Sequence, residues 1–353
     1  MRCQCVVSFG KPLVAQERED LVPEGTEVIM KITAAGVCHS DLHIRDGFYD
    51  LGDGKKMHHG ERGLHLPRVM GHEPVGVIAA KGPLAGDLDT SRTYVVYPWA
   101  GCGTCERCIV GDEHYCPTPR AMGIHVDGAY ATQMRVPHPR YLFDIGDMDP
   151  AHAAPLACSG LTAFSALKKV EASLSKAPVV IIGVGGVGLN AVQLAKSLGG
   201  MAPIAVDIDP KKREAALTHG AGHAIDGSAP DVIAQIHAAA GGAPLAAIDF
   251  VGSEQTAKLG FDVLTRAGQL VIVGLFGGRA PWPLPMLPFR STTIMGSYTG
   301  SLNEFRELMS LAAKGVLSPL PTSRHKLDEA EEILNDLARG EIVGRAILEP
   351  NKS

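Results

Sequence analysis

Four closely spaced cysteines are the first residues whose type and spacing indicate chemistry. Cys102, Cys105, Cys108 and Cys116 follow one another at intervals of 3, 3 and 8 residues. This pattern predicts four thiolates around one tetrahedral zinc ion, a closed coordination shell that is typical of a structural site. An iron–sulfur cluster is the alternative, since four cysteines also hold such clusters. Zinc here would stabilise the local fold without taking part in a reaction.

A glycine-rich turn indicates a second kind of chemistry. Gly183, Gly185 and Gly188 form a G-x-G-x-x-G pattern directly after an apolar run that predicts a strand and before a stretch that predicts a helix. In this pattern the glycines make a tight turn, let the backbone approach a pyrophosphate and let the helix pack on the strand. The N–H groups of the helix N-terminus then face the phosphates, so the segment predicts a dinucleotide site.

An acidic residue at the end of the next predicted strand indicates whether the dinucleotide is NAD or NADP. Asp207 lies 24 residues after Gly183. An acid at this position accepts hydrogen bonds from the ribose hydroxyls and repels a 2′-phosphate, which favours NAD over NADP. Lys212 lies just beyond Asp207 and either covers the ribose or is a solvated helix lysine.

Three further potential metal ligands, Cys38, His72 and Cys158, are scattered along the chain. Each has an ordinary interpretation when taken alone, since a lone cysteine usually packs as a small hydrophobic residue. Together with the four-cysteine cluster, the glycine pattern, Asp207 and the terminal G-R-A-I-L segment at 344–348, they resemble the medium-chain zinc alcohol dehydrogenase family. The resemblance covers essentially the whole chain. It implies that these three residues bind a catalytic zinc, the Cys₂His set for which alcohol dehydrogenase is the standard example, and hence two Zn²⁺ ions per chain.

The resemblance also implies roles for the neighbours of these ligands. Ser40 would contact the substrate oxygen and His43 would pass the proton to solvent, which suits a side chain whose pKa is near neutrality. Asp41 would orient His72. Glu73 would lie behind the zinc, although a structural ion pair is an open alternative for this residue.

The remaining implied roles concern the cofactor and the substrate. Thr162 would contact the nicotinamide, and His39 and Arg345 would contact the pyrophosphate. The family often has arginine at the position of His39, so histidine implies a weaker, pH-sensitive contact. Trp99 would form a wall of the substrate pocket, and ordinary core packing is its alternative.

The segment 46–68 lengthens the interval between Cys38 and His72 to 34 residues, more than is usual in the family. It is polar and rich in glycine, which predicts a loop. We expect either a wall of the substrate cleft, with Phe48, Tyr49 or Leu51 setting substrate size, or a tolerated surface insertion. The adjacent histidines 58 and 59 are predicted to be solvated.

The elements that must position these residues fall into two parts. Short β-like runs and turns dominate up to about residue 150, whereas strands alternate with helices from residue 178 onward. Such alternation predicts a parallel sheet covered on both faces. With the resemblance, the expected fold class is α/β: a doubly wound Rossmann NAD-binding domain at 160–298, inserted into a β-rich GroES-like catalytic domain formed by 1–159 and 299–353.

Composition and charge exclude several other classes. The net charge is −5 and the chain has no long basic run, so neither nucleic acid nor a membrane surface is an expected partner. The N-terminus lacks the apolar run of a signal peptide, and no stretch has transmembrane length, so we expect a cytoplasmic protein. Cys3 and Cys5 would share one face of a strand as free thiols.

The predicted function is reversible oxidation of a primary or secondary alcohol to an aldehyde or ketone with NAD. Trp99 and the aromatic residues of 46–68 favour an apolar or aromatic substrate. The resemblance also implies a homo-oligomer, preferentially a tetramer. The alternatives are a polyol or hydroxyacyl-type dehydrogenase of the same family, or a non-catalytic relative that binds zinc or nucleotide.

Overall fold

The computed structural model describes residues 1–280 and 282–352. The strands, numbered in chain order, are β1 (Arg2–Val6), β2 (Val14–Glu17), β3 (Val28–Val37), β4 (Phe48–Asp50), β5 (Lys56–His58), β6 (Arg68–Val69), β7 (Pro74–Lys81), β8 (Thr93–Val96), β9 (Gln133–Val136), β10 (Leu142–Asp144), β11 (Val180–Ile182), β12 (Ile204–Asp207), β13 (His223–Asp226), β14 (Ala246–Asp249), β15 (Gln269–Ile272), β16 (Thr293–Gly296), β17 (Thr322–His325) and β18 (Arg345–Leu348). The α-helices are α1 (His39–Asp46), α2 (Glu106–Ile109), α3 (Pro150–Ala153), α4 (Ser159–Lys168), α5 (Glu171–Leu174), α6 (Gly186–Ser197), α7 (Pro210–Thr218), α8 (Val232–Ala240), α9 (Glu254–Asp262), α10 (Met286–Arg290), α11 (Leu302–Ala313) and α12 (Ala330–Ala338).

The predicted parallel sheet is confirmed. Six strands lie in the order β13-β12-β11-β14-β15-β16, and every neighbouring pair is parallel. The central strand β11 is fully buried, which explains why its sequence is a continuous apolar run. The edge strands β13 and β16 were not predicted, because each is short and partly exposed and therefore lacks such a run.

A second, mostly antiparallel sheet carries the rest of the chain. Its strands follow the order β10-β8-β7-β3-β18-β17, and β9 also pairs with β3. The C-terminal strand β18 therefore lies directly beside β3, with Ala346 opposite Val37. The last part of the chain thus returns to the sheet that the first part builds, which is the arrangement expected when a parallel-sheet unit is inserted between them.

The segment 46–68 is more ordered than the predicted loop. β4 and β5 form a small antiparallel hairpin, and a 3-10 turn follows at His59–Arg62. The hairpin was missed because its strands have three residues each and carry no apolar alternation. The prediction of solvation is right for His58, which is exposed, but wrong for His59, whose exposure is 3%.

The first sheet of the chain contains β1 between β2 and β6. Cys3 and Cys5 lie on one face of β1, as predicted, with their sulfur atoms 3.6 Å apart, and both are free and buried. Within the two described ranges, no helix combines the length and hydrophobicity needed to cross a bilayer.

Candidate active site

The structure brings Cys38, His72 and Cys158 together from three distant segments. One ligand atom from each lies within 4.8 Å of the others, and all three residues are buried. Cys38 joins β3 to α1, and Cys158 directly precedes α4. His72 follows Gly71, whose φ of +95° is a conformation that favours glycine. Two soft thiolates and an imidazole converging in a buried position form a ligand set suited to zinc.

Asp41 holds two of these ligands in place. Its carboxylate accepts hydrogen bonds from the Cys38 backbone N–H at 3.0 Å and from the Tyr130 hydroxyl at 2.9 Å. Its other oxygen lies 3.2 Å from Nδ1 of His72. Nε2 of His72 is buried and has no hydrogen-bond partner among the described residues. An unpartnered imidazole nitrogen beside two cysteines is expected of a metal ligand, since a buried polar atom otherwise carries a desolvation cost.

Without a bound cation, the cluster divides its charge between a thiolate at Cys38 and a protonated His72. The neighbouring Cys158 thiol lowers the pKa of Cys38 well below the usual thiol range, and His72 adds to this effect. Burial lowers the pKa of His72, but the Asp41 carboxylate outweighs it and holds that pKa well above its ordinary value. Together they place thiolate and proton donor side by side, a polarised arrangement from which a metal ion would displace the proton.

Helix α1 carries the two residues of the expected proton relay. Ser40 and His43 are three positions apart and therefore lie on one face of the helix. Burial lowers the pKa of His43 below its ordinary value, so its imidazole is neutral and able to accept a proton at pH 7. The Tyr49 ring packs against His43 with their centroids 4.8 Å apart, so the segment 46–68 covers the relay.

Glu73 and Arg345 form a buried ion pair behind the ligand cluster. The carboxylate is fully buried and the guanidinium is 5% exposed. Burial raises the pKa of Glu73 to about 7, although Arg345 opposes this shift. The backbone N–H of Ser159 donates to Glu73 at 3.3 Å, and Asn190 donates to the Ser159 hydroxyl. Glu73 therefore has the structural ion pair that the sequence left as an alternative. Its carboxylate is also near enough to Cys38 and His72 to be affected by their charges.

The glycine pattern adopts the predicted strand–turn–helix form. Gly183 follows β11 with φ +82°, and Gly185 directly precedes α6. A Cβ atom at Gly188 would lie 2.0 Å from the carbonyl oxygen of Gly183, so only glycine allows this packing. A Cβ at Gly185 would meet no atom within 4 Å, which leaves open space over the helix N-terminus. This geometry fits a pyrophosphate.

The carboxylate of Asp207 lies beside the glycine turn, where it could accept hydrogen bonds from the ribose of a dinucleotide. It ends β12 and accepts hydrogen bonds from the backbone N–H groups of Val184 at 2.9 Å and Asp209 at 3.0 Å. These contacts fix the carboxylate against the glycine turn. Arg213 donates to the Asp207 carbonyl at 2.8 Å, a contact that sequence reasoning did not anticipate.

Basic side chains gather near the N-terminus of α6. The side chain of Arg345 lies against Gly186, since a Cβ there would be 2.6 Å from Arg345 Cδ. Burial lowers the pKa of His39, and the positive charges of Arg345 and Lys212 lower it further. Thr162 lies in α4 and is 8% exposed. Arg345 therefore lies at the N-terminus of α6, and His39 is near enough to be affected by the charges of Arg345 and Lys212.

The four-cysteine cluster has the dimensions of a single tetrahedral ion. Neighbouring sulfur atoms are 3.5 to 3.9 Å apart, and all four lie within 4.8 Å of one another. A tetrahedron with zinc–sulfur bonds of about 2.3 Å has sulfurs about 3.8 Å apart. Backbone and side-chain donors of Thr104 lower the pKa of Cys102 to about 5. The space between these sulfurs fits one ion and is too small for an iron–sulfur cluster.

Trp99 has features of both predicted roles, core packing and a wall of a pocket. It is 3% exposed, and its indole N–H donates to the Ala157 carbonyl at 3.0 Å. Its ring centroid lies 5.5 Å from that of His72 and 6.0 Å from that of Tyr298. It therefore packs in the core and also lines a cavity.

Sequence reasoning missed several residues around the site. Tyr130, Asn190 and Tyr298 are distant in sequence from every motif, and no local pattern brings them to attention. Tyr49 was named only as one of three candidates in 46–68. The other two point elsewhere: Phe48 packs beside His58, and Leu51 is 44% exposed.

Comparison with known proteins covers both parts of the chain. Residues 24–147 match the alcohol dehydrogenase GroES-like domain and residues 186–314 match the zinc-binding dehydrogenase domain. An NAD-dependent alcohol dehydrogenase of Sulfurisphaera tokodaii is 38% identical over 351 residues, covering 99% of this chain and 100% of that protein. A protein of the same description from Saccharolobus solfataricus is 36% identical with the same coverage.

A solved structure has the same fold as this chain over nearly its whole length. The alcohol dehydrogenase from the hyperthermophilic archaeon Aeropyrum pernix superposes with a TM-score of 0.90 at 33% identity, covering 99% of this chain and 100% of that one. The expected combination of a GroES-like and a Rossmann-type domain is therefore confirmed.

Proposed function

We propose that this chain, which belongs to the zinc-dependent medium-chain alcohol dehydrogenase family, oxidises primary or secondary alcohols reversibly to aldehydes or ketones with NAD. The observation that carries this proposal is the buried convergence of Cys38, His72 and Cys158 next to the relay helix α1. The oxidation removes a hydride from carbon, which NAD accepts, and a proton from oxygen, which passes to solvent.

The residues at the ligand cluster fit a zinc ion. The unpartnered Nε2 of His72 and the two buried cysteines supply three ligands and leave one coordination position for a substrate. When bound there, zinc would supply the positive charge that lowers the pKa of an alcohol hydroxyl. Asp41 orients His72 and holds the start of α1, so the same carboxylate positions the ligands and the relay.

The protein's own part in proton transfer lies with Ser40 and His43. The Ser40 hydroxyl accepts the substrate proton through a hydrogen bond, and the neutral His43 imidazole takes it toward solvent. Tyr49 covers His43 and thereby limits the access of water to the relay. Trp99 and Tyr298 provide the apolar surface that favours an apolar or aromatic alcohol.

Asp207 is proposed to select NAD. Replacement by glycine removes the charge that would repel a 2′-phosphate, so we expect the ratio of kcat/KM for NADP to that for NAD to rise by at least about tenfold. Asp207→Asn keeps an acceptor for one of the two backbone N–H groups while removing the charge, and should raise the same ratio. Steady-state kinetics with both cofactors measure it. A parallel fall in both kcat/KM values, with the ratio unmoved, would mean that Asp207 only supports the glycine turn.

The function is tested by zinc analysis together with NAD reduction across aliphatic, benzylic, secondary and polyol alcohols. We expect two zinc ions per chain and turnover of apolar or benzylic alcohols. Preference for polyols would favour a polyol dehydrogenase. Full zinc content and tight NAD binding without turnover of any alcohol would favour a non-catalytic relative.

Several broader properties complete the proposal. Two zinc ions per chain are supported by the two ligand clusters, and the domain boundaries at 159/160 and 298/299 by the extent of the parallel sheet. A cytoplasmic location is supported by eight free cysteines, six of them in metal-ligand clusters and two closely paired, which suits a reducing compartment.

A homo-oligomer, preferentially a tetramer, is supported by an exposed apolar surface near edge strand β16. Phe276, Leu284 and Phe289 have exposures of 73%, 75% and 73%. Patches of this kind usually mark an interface. Light scattering coupled to size exclusion should give a tetramer mass, and a monomer at micromolar concentration would contradict the proposal.

A further inference from the structure

A cavity of about 470 Å³ opens beside Trp99, whose ring packs against the candidate zinc ligand His72. Its walls come from three parts of the chain: the segment 46–68, the segment around the four-cysteine cluster, and the residues that follow β16. Arg62, Trp99, His125 and Tyr298 line it, and Glu113 contributes the carboxylate of the lining. Cavities of this size hold small organic ligands.

Trp99 and Arg62 both line this cavity. Trp99 borders the cluster at one end, where its ring packs against His72. Tyr298 lies next to Trp99 in the lining, with the two ring centroids 6.0 Å apart.

Arg62 is the charged residue of the cavity lining that has no ion-pair partner in the part of the chain that the structure describes. It is exposed, and within the described ranges no carboxylate lies within ion-pair distance of it. Glu113 is already satisfied, because it pairs with Arg140 at 3.0 Å and accepts a hydrogen bond from Gly101 at 3.0 Å. Burial lowers the pKa of His125, so this histidine is neutral at pH 7.

The guanidinium of Arg62 is also oriented. It lies over the Tyr49 ring at 5.8 Å from the centroid, a cation–π distance. Tyr49 in turn packs against His43 and His59, with centroids 4.8 Å and 4.7 Å away. This row of rings connects Arg62 to the relay helix.

We propose that Arg62 binds a carboxylate at the far end of the substrate, so that the preferred substrates are hydroxycarboxylates with an apolar or aromatic body. The planar guanidinium matches a carboxylate in a two-bond, side-by-side geometry. Trp99 and Tyr298 contact the body, and the hydroxyl reaches the metal-ligand cluster. This inference rests on the alcohol dehydrogenase function proposed above and specifies its substrate class.

The test compares 4-(hydroxymethyl)benzoate with benzyl alcohol, two substrates that differ only by the carboxylate. We expect the wild type to have the higher kcat/KM for the carboxylate. In Arg62→Gln the ratio of the two kcat/KM values should fall about tenfold, the effect of losing one charge-assisted contact. Lys56→Gln is the matched control: Lys56 is a cation of the same segment, but it lies over Phe48 at 3.6 Å and does not line the cavity. Its ratio should match that of the wild type.

Binding provides a readout that does not depend on turnover. The chain has two tryptophans, and Trp99 lines the cavity. Tryptophan fluorescence should report tighter binding of benzoate than of benzamide to the wild type, and Arg62→Gln should abolish this difference.

An unchanged ratio in Arg62→Gln, or an equal fall in Lys56→Gln, would overturn the proposal. Turnover of benzyl alcohol with no preference for the carboxylate would overturn it while leaving the dehydrogenase function intact. Inactivity toward both substrates would instead contradict the proposed function itself.

Discussion

Replacing Cys158 by alanine should lower the zinc content from two ions to one per chain and reduce kcat for alcohol oxidation by at least about a thousandfold. The reason is that Cys158 supplies one of three converging ligands in a fully buried cluster, so its loss leaves two ligands and an open shell. The positive charge of a catalytic metal contributes several kcal/mol to the stabilisation of developing negative charge, and each factor of ten in rate corresponds to about 1.4 kcal/mol. Zinc analysis and initial rates of NADH formation measure both effects.

Cys3→Ala is the matched control for this experiment. Cys3 is also a buried cysteine, but its closest sulfur neighbour is Cys5, at 3.6 Å, and it belongs to neither ligand cluster. We expect it to keep two zinc ions and most of the activity. If Cys158→Ala retained both zinc ions, or turned over alcohol at the rate of the control, Cys158 would be a packing residue and the assigned ligand set would be incorrect.

Replacing Cys105 by alanine should affect stability more than chemistry. The four-cysteine cluster encloses one ion-sized space, and loss of a structural metal is among the changes that cost more than about 4 kcal/mol. For a protein of this size that corresponds to a fall in Tm of about 5 °C or more. We expect one zinc ion to be lost, the melting temperature to fall, and proteases to cleave between residues 101 and 118.

The conservative change Cys105→His tests whether the metal or the cysteine matters. Histidine with three cysteines is also a zinc ligand set, and Cys105 is partly exposed, so the larger ring has room. We expect this variant to recover zinc and much of the lost thermal stability. Equal melting temperatures for Cys105→Ala and the wild type would show that the segment is held without a metal, by contacts such as those of Glu113 with Arg140 and Gly101.

The parts of the site that sequence predicts are those whose residues have fixed local spacing. The glycine turn, Asp207 and the four cysteines each lie within one short segment or one strand–helix–strand unit, so their geometry follows from local structure. The three scattered ligands became a set only through the family resemblance. No spacing rule connects Cys38 with Cys158.

The parts that sequence does not predict depend on tertiary packing. Tyr130 reaches Asp41 across 89 residues, and Tyr298 meets Trp99 only after the two sheets have assembled. The burial of His59 follows from the hairpin β4–β5, whose pairing is too short to leave a periodic signal. The lack of an ion-pair partner for Arg62 among the described residues can be seen only in the structure, because ion pairing depends on how the chain folds.

The pairing of β18 with β3 has a consequence for the order in which the molecule folds. β18 begins at Arg345 and lies against the last residues of β3, which lead directly into Cys38. During synthesis, β3 is made more than 300 residues before this partner strand. The parallel-sheet unit has its strands close in sequence and can form earlier, whereas contacts of such wide separation form late. The candidate zinc site, although all three of its ligands precede residue 160, is therefore expected to be completed only after β18 has been made.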